Sequence, residues 1–169
     1  MKLSSQLNKF RSEQNNITMS QSLSQIYIHL VFGTKNRFPF LNNTIREKLH
    51  IYIANGLKDL DSPAVTINSV FDHIHILLRL SKTVTISQIA KEIKVSSSKY
   101  IKQLDGGVPN FQWQKGYGAF SVSSSKVDVV KRYIQNQKKH HLGANYREEM
   151  ETFFEHYNIN DYDSKYFWS

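Results

Sequence analysis

The chain has 169 residues, of which 40% are apolar, enough to bury the core of one compact domain. It contains no cysteine, which excludes disulfides and thiolate chemistry and limits any metal site to His, carboxylate or amide donors. No run approaches the ~18 apolar residues of a membrane span and the N-terminus has no signal-like stretch, so a cytoplasmic protein is expected, and the net charge of +8 favours a polyanion such as nucleic acid.

Residues 1–18 are polar and aperiodic, with Gln6, Asn8, Gln14, Asn15 and Asn16, and read as a disordered arm. Met19 is then a candidate natural start, and residues 19–169 form a single domain. No internal repeat is present.

Four segments alternate with period two, the mark of strands with unlike faces. In residues 25–33, Ile26, Ile28, Leu30 and Phe32 oppose Tyr27, His29 and Val31. In residues 64–70, Val65 and Ile67 oppose Thr66 and Asn68. In residues 73–80, Ile74, Ile76, Leu78 and Leu80 oppose His73, His75, Leu77 and Arg79. In residues 118–123, Phe120 and Val122 oppose Ala119, Ser121 and Ser123.

Helical spacing appears between and after these strands. Ile45, Leu49, Tyr52, Ile53 and Leu57 follow Asn43, a candidate N-cap. A longer stripe from Ile86 to Leu104 opens on the capping-box pattern Thr85-Ile86-Ser87-Gln88 and stops at Asp105-Gly106-Gly107. A third helix is predicted from Ser125 to Gly143, and a fourth, shorter one over 146–156 before an aromatic tail. The order β-α-β-β-α-β followed by two helices is the ferredoxin-like split β-α-β pattern, an α+β fold. It predicts a four-stranded antiparallel sheet with the first two helices on one face and the third helix near the other. That second face, expected to be open, carries His29, His73, His75 and Arg79.

Two segments carry chemistry. His73 and His75 are two apart on a strand, so both imidazoles can converge on one metal ion. Tyr133 and Gln137 are four apart and share a helical face, while Gln135 points away. A tyrosine at such spacing also serves as ordinary core beside Val130 and Ile134. The same helix is rich in cations, Lys131, Arg132, Lys138 and Lys139, which suit either solvent or phosphates.

Taken together, these segments resemble the single-tyrosine transposases of the insertion-sequence-two-hundred type, members of the HUH (histidine–hydrophobic–histidine) endonucleases. The resemblance runs from about Gln21 to the C-terminus. It rests on Tyr27-Ile28-His29-Leu30-Val31-Phe32-Gly33-Thr34-Lys35-Asn36-Arg37, Asp72-His73-Ile74-His75 and Ser96-Ser97-Ser98-Lys99-Tyr100-Ile101. It continues through Trp113-Gln114-Lys115-Gly116-Tyr117-Gly118-Ala119-Phe120, the Tyr133…Gln137 helix and Arg147-Glu148-Glu149.

The resemblance implies a transposase that cuts and rejoins single-stranded DNA with hairpin ends, for excision and insertion of a mobile element. It implies that Tyr133 is the nucleophile, forming a 5′-phosphotyrosine and leaving a 3′-hydroxyl. His73, His75 and Gln137 would hold a divalent metal, Mg²⁺ or Mn²⁺, and the protein would act as a homodimer with Tyr133 serving in cis or in trans. Lys35, Arg37, Arg79, Lys131, Arg132, Lys138 and Lys139 are candidate DNA contacts. His140 and His141 lie on the Tyr133 side of the helix and compete with Gln137 as ligands. His29 either positions DNA or packs beside the site, and Trp113, Tyr117 and Tyr27 either stack on unpaired bases or pack in the core. Three rival readings stand beside this one: a non-catalytic nucleic-acid-binding module, a domesticated hairpin-binding protein, and a metal hydrolase that uses water as nucleophile.

Overall fold

The computed structural model describes residues 22–137 and 146–168. The predicted arm and Lys138, Lys139, His140 and His141 lie outside the described residues. The element order is β1 (Tyr27–Gly33), α1 (Asn43–Asp59), β2 (Ala64–Ser69), β3 (His73–Arg79), α2 (Ile86–Gln103), β4 (Gly118–Val122), α3 (Val127–Gln135), α4 (Tyr146–His156) and the four-residue α5 (Ser164–Phe167). Short 3₁₀ turns at Lys35–Arg37 and Ser124–Lys126 follow β1 and precede α3. The strands form one antiparallel sheet in the order β2-β3-β1-β4, as the split β-α-β pattern predicts.

Local chemistry sets the helix ends. The Asn42 side chain accepts from the Ile45 amide, so the N-cap of α1 falls one residue before the predicted Asn43. Thr85 and Gln88 complete the predicted capping box of α2 reciprocally. The third helix starts two residues later than predicted, after the 3₁₀ turn, and α3 stops at Gln135.

The principal core lies between one sheet face and helices α1 and α2. Ile28, Leu30 and Phe32 of β1 and Ile74, Ile76 and Leu78 of β3 meet Ile45, Leu49, Ile53, Ile89 and Ile93 there. Val65 departs from the predicted alternation. A register shift between Ala64 and Thr66 breaks the pleat, so Ile67 joins this core while Val65 joins the opposite face.

The second face is not open. Val31 and Phe120 pack against Tyr146, Met150 and Phe154 of α4, and Leu77 and Val122 pack against Ile134 of α3. The approach of α4 is close. A Cβ on Gly118 would lie 2.6 Å from Met150 Cε. His73 and His75 are consequently 0% exposed rather than turned to solvent. Among the described residues, no helix is long and apolar enough to cross a membrane.

Candidate active site

The middle of the second face is polar, and its members come from four elements. β3 contributes His73 and His75, β1 contributes His29, α3 contributes Tyr133, with Gln137 two residues past its end, and α4 contributes Glu149. Strand pleating turns the alternate residues of β1 and β3 the same way, so the three imidazoles stand side by side. His29 and His75 rings stack at 5.2 Å, and His73 and His75 rings lie 5.1 Å apart.

Glu149 is the hub. Its Oε2 lies 3.4 Å from His73 Nε2, and its Oε1 lies 3.6 Å from His75 Nε2. Oε1 also accepts hydrogen bonds from the Tyr133 hydroxyl and, at 3.1 Å, from Gln137 Nε2. Gln137 is fully buried. One donor atom from each of His73, His75 and Glu149 falls within 4.8 Å of the others, so this trio could hold a metal ion.

A surrounding shell fixes the imidazoles. His73 Nδ1 donates to Asp72 Oδ1 at 2.7 Å, which orients the ring with Nε2 toward Glu149. Asp72 is in turn ion-paired with Arg37, whose guanidinium sits 3.9 Å above the Tyr146 ring. Asn36 and Arg37 both have left-handed backbone (φ 54° and 60°), a conformation that costs about 1–3 kcal/mol per non-glycine residue. His75 Nδ1 pairs with His29 Nε2 at 3.0 Å. If His75 Nε2 is to bind a cation, Nδ1 carries the proton and His29 Nε2 is the acceptor.

Burial and the carboxylate govern protonation. Burial pushes His29 down to about 3, the neighbouring His75 adds to that, and Glu149 only partly opposes it, so His29 is neutral and able to accept. Burial, the charge of Glu149 and the hydrogen bond to it all push the Tyr133 phenol above its ordinary range. For Glu149 burial acts upward, but hydrogen bonds from His73 and His75, the His75 charge and the Tyr133 hydroxyl outweigh it and hold the carboxyl far below the carboxylate range. Asp72 behaves alike: burial acts upward, and His73 and Arg37 overcome it.

The other predicted residues divide clearly. Lys35 is exposed, bonding Gln112 Oε1 at 2.9 Å. Arg79 is exposed at the far end of β3, about 13 Å beyond His75 at a strand's rise of ~3.3 Å per residue. Arg132 is exposed and Lys131 half-buried on α3. Trp113 is core, not a stacking platform: it meets Phe32 and Phe111 edge-on and donates to Ser97 Oγ at 2.9 Å. Tyr117 packs against the principal core and Tyr27 against the α3 cluster.

Glu149 is the member that sequence reasoning gave no role. Its signal was present in α4, where Tyr146, Met150 and Phe154 form the buried stripe. Glu149 stands three residues after Tyr146 and next to Met150, which puts a carboxylate on the apolar side of the helix.

The sequence and the fold have counterparts. The sequence matches the family described as "Transposase IS200 like" over residues 22–137. No curated protein matches the sequence. Among solved structures, the chain is similar to a candidate transposase from Deinococcus radiodurans R1, with TM-score 0.54 and 21% identity over 70% of this chain and 95% of that one. It is also similar to a REP-associated tyrosine transposase bound to a REP hairpin, with TM-score 0.54 and 18% identity over 73% and 74% of the two chains. At these identities the structures establish the shared fold. The sequence match spans well over half of the chain, and the chain therefore belongs to the family of IS200-like transposases.

Proposed function

We propose that this protein breaks and rejoins single-stranded DNA through a covalent link to Tyr133, as the excision and insertion enzyme of a mobile element. The observation that carries the proposal is the meeting of the Tyr133 hydroxyl with His73 and His75 on one carboxylate, Glu149, within a single chain.

The Tyr133 oxygen attacks a backbone phosphorus and the bond to the 3′-oxygen breaks. The products are a 5′-phosphotyrosine and a 3′-hydroxyl, and the reverse step rejoins strands without an external energy source. Glu149 Oε1 already accepts the phenolic hydrogen bond, so it is the atom positioned to receive that proton. In the resting arrangement the raised phenol and the lowered carboxyl both keep the proton on Tyr133. Attack therefore requires positive charge close to the phenolic oxygen, which lowers the phenol and stabilises the phenolate.

The donor set fits a divalent cation at that position, bound through His73 Nε2, His75 Nε2 and Glu149. Such an ion supplies Lewis acidity to a non-bridging phosphate oxygen. Two imidazole nitrogens favour Mn²⁺ over Mg²⁺, which prefers oxygen ligands. In this proposal Gln137 steadies Glu149; the ligand role implied by family resemblance requires its amide to turn its oxygen inward. Arg37 and Asp72 orient His73, and Lys131 and Arg132 attract the strand. The homodimer remains part of the proposal, with Tyr133 beside the histidines of its own chain.

The test is a denaturing gel of the protein incubated with single-stranded DNA from the ends of its own element, with and without Mn²⁺. A protein–DNA adduct that forms only with metal, and not with Tyr133→Phe, is expected; duplex DNA gives none. Cleavage without an adduct would show water to be the nucleophile. Hairpin binding without cleavage would mark a domesticated binding protein.

A further inference from the structure

We propose that Phe38 and Phe71 form a stacking platform for unpaired bases at the rim of the His73–His75 site, holding the strand by its bases where its backbone enters. The assignment rests on the single-strand transposase reading and names the part of the strand that the rim grips.

The rings that the sequence offered for stacking, Trp113, Tyr117 and Tyr27, are packed against hydrophobic clusters. The exposed rings lie elsewhere. Phe38 is 56% and Phe71 57% exposed, and among the described residues they are the only exposed phenylalanines. Each sits one residue from the ion pair that borders the site: Phe38 follows Arg37, and Phe71 precedes Asp72, with His73 next along the chain.

Hydrogen bonds join the two loops into one support. Thr34 Oγ1 lies 2.7 Å from the Phe38 carbonyl and 3.2 Å from that of Asp72, and the Thr34 amide donates to the same Asp72 carbonyl at 2.8 Å. The Leu41 amide donates to the Phe71 carbonyl at 2.9 Å. Both rings are backed as well. Phe38 rests on Phe40 with centroids 4.5 Å apart, and Phe40 packs against the principal core. The Arg46 guanidinium, bonded to the Ser69 carbonyl at 3.0 Å, lies 5.2 Å from the Phe71 centroid. A ring already held in place loses little freedom when a base stacks on it.

Cations alternate with the rings. Lys35 and Arg37 precede Phe38, and Arg46 stands over Phe71. The carboxylate between them, Asp72, is paired with Arg37 and His73. This interleaving suits a single nucleic-acid strand, whose bases stack while its phosphates meet the cations. A protein partner would favour a contiguous apolar patch with charge kept to its edge. A duplex keeps its base faces stacked on one another and offers none to a ring. The platform therefore selects unpaired over paired DNA at the cleavage point without reading a sequence.

The experiment uses the full-length chain and two labelled probes of equal length and charge, oligothymidylate and the same backbone with abasic sites throughout. Binding is measured by fluorescence anisotropy across a salt series, for wild type and for the double variant Phe38→Leu, Phe71→Leu. Leucine keeps apolar bulk and removes the ring, and an unchanged circular dichroism spectrum checks the fold. The double variant should bind oligothymidylate about tenfold more weakly. Its log–log salt slope should match that of wild type, because no phosphate contact is lost. Both proteins should bind the abasic strand equally, and the double variant Phe38→Tyr, Phe71→Tyr should keep wild-type affinity for oligothymidylate. Undiminished affinity in the leucine variant, an equal loss on the abasic strand, a shallower salt slope, or no binding of oligothymidylate by wild type would each overturn the proposal. So would self-association of wild type that the leucines abolish while DNA affinity stays the same, since the rings would then serve a second copy of the chain. Ring-dependent binding by wild type and by Tyr133→Phe, with no adduct from wild type, would leave the platform standing and remove the catalytic reading. An adduct from wild type with ring-independent binding would do the reverse.

Discussion

On one face of the sheet, Leu30, Phe32, Ile74 and Ile76 pack with the buried aliphatic side chains of α1 and α2. On the other, His29, His73 and His75 meet α3 and α4 through imidazoles, a phenol, an amide and a carboxylate. Both faces are dry enough that an unpaired polar atom would cost several kcal/mol. The first face is what stability alone selects. The second spends burial on groups that water would solvate better, and tolerates two left-handed residues at its rim to orient them. A fold keeps such an arrangement where chemistry needs it.

A substitution on one face should leave the other face's property unchanged. Glu149→Gln keeps the size of the side chain and removes the charge. It should lower Mn²⁺ affinity about tenfold to hundredfold, measured by calorimetry or by the paramagnetic resonance of bound Mn²⁺. Equal affinity in the variant would remove Glu149 from the metal site. Leu30→Ala should act oppositely, costing about 2–5 kcal/mol of unfolding free energy in a denaturant titration. Below the midpoint of unfolding its Mn²⁺ affinity should stay that of wild type.

At the sheet edge His50 bonds Ser69 Oγ at 2.8 Å. Burial and then the Arg46 charge push it down to about 4 from 6.5. Above pH 6.5 both folded and unfolded chains hold it neutral, so it contributes no pH dependence. Between 6.5 and about 4 the unfolded chain takes up the proton first, and stability falls by about 1–2 kcal/mol after discounting partial exposure. His50→Gln should flatten that part of the stability–pH curve, and an identical slope in the variant would contradict the assignment. The smallest effect is expected at the Trp113–Ser97 bond. Ser97→Ala should cost about 1 kcal/mol, again read by denaturant titration.

Much of this contrast was legible in the amino-acid order. Alternation in the β1 and β3 segments identified the strands and assigned His73 and His75 to one face, and Thr85 and Gln88 marked the start of α2. Alternation tells which side chains share a face, but not what covers that face. The polar reading of His29, His73 and His75 therefore suggested solvent where α3 and α4 in fact pack. The bulge at Val65 was invisible for a related reason: an inserted residue leaves the composition of the strand unchanged. Glu149 lies more than seventy residues from His75, and its contact depends on how α4 docks. Only its place in the apolar stripe of that helix hinted at burial.

In the proposed reaction Tyr133 is the group that takes the DNA strand. Peptide mapping by mass spectrometry of the protein–DNA adduct formed with Mn²⁺ tests it most directly. The nucleotide should be found on the peptide containing Tyr133, with no signal on Tyr146, which lies buried beside His73 and is stacked beneath Arg37. A nucleotide on Tyr146, or on any side chain other than Tyr133, would rule out Tyr133 as the nucleophile.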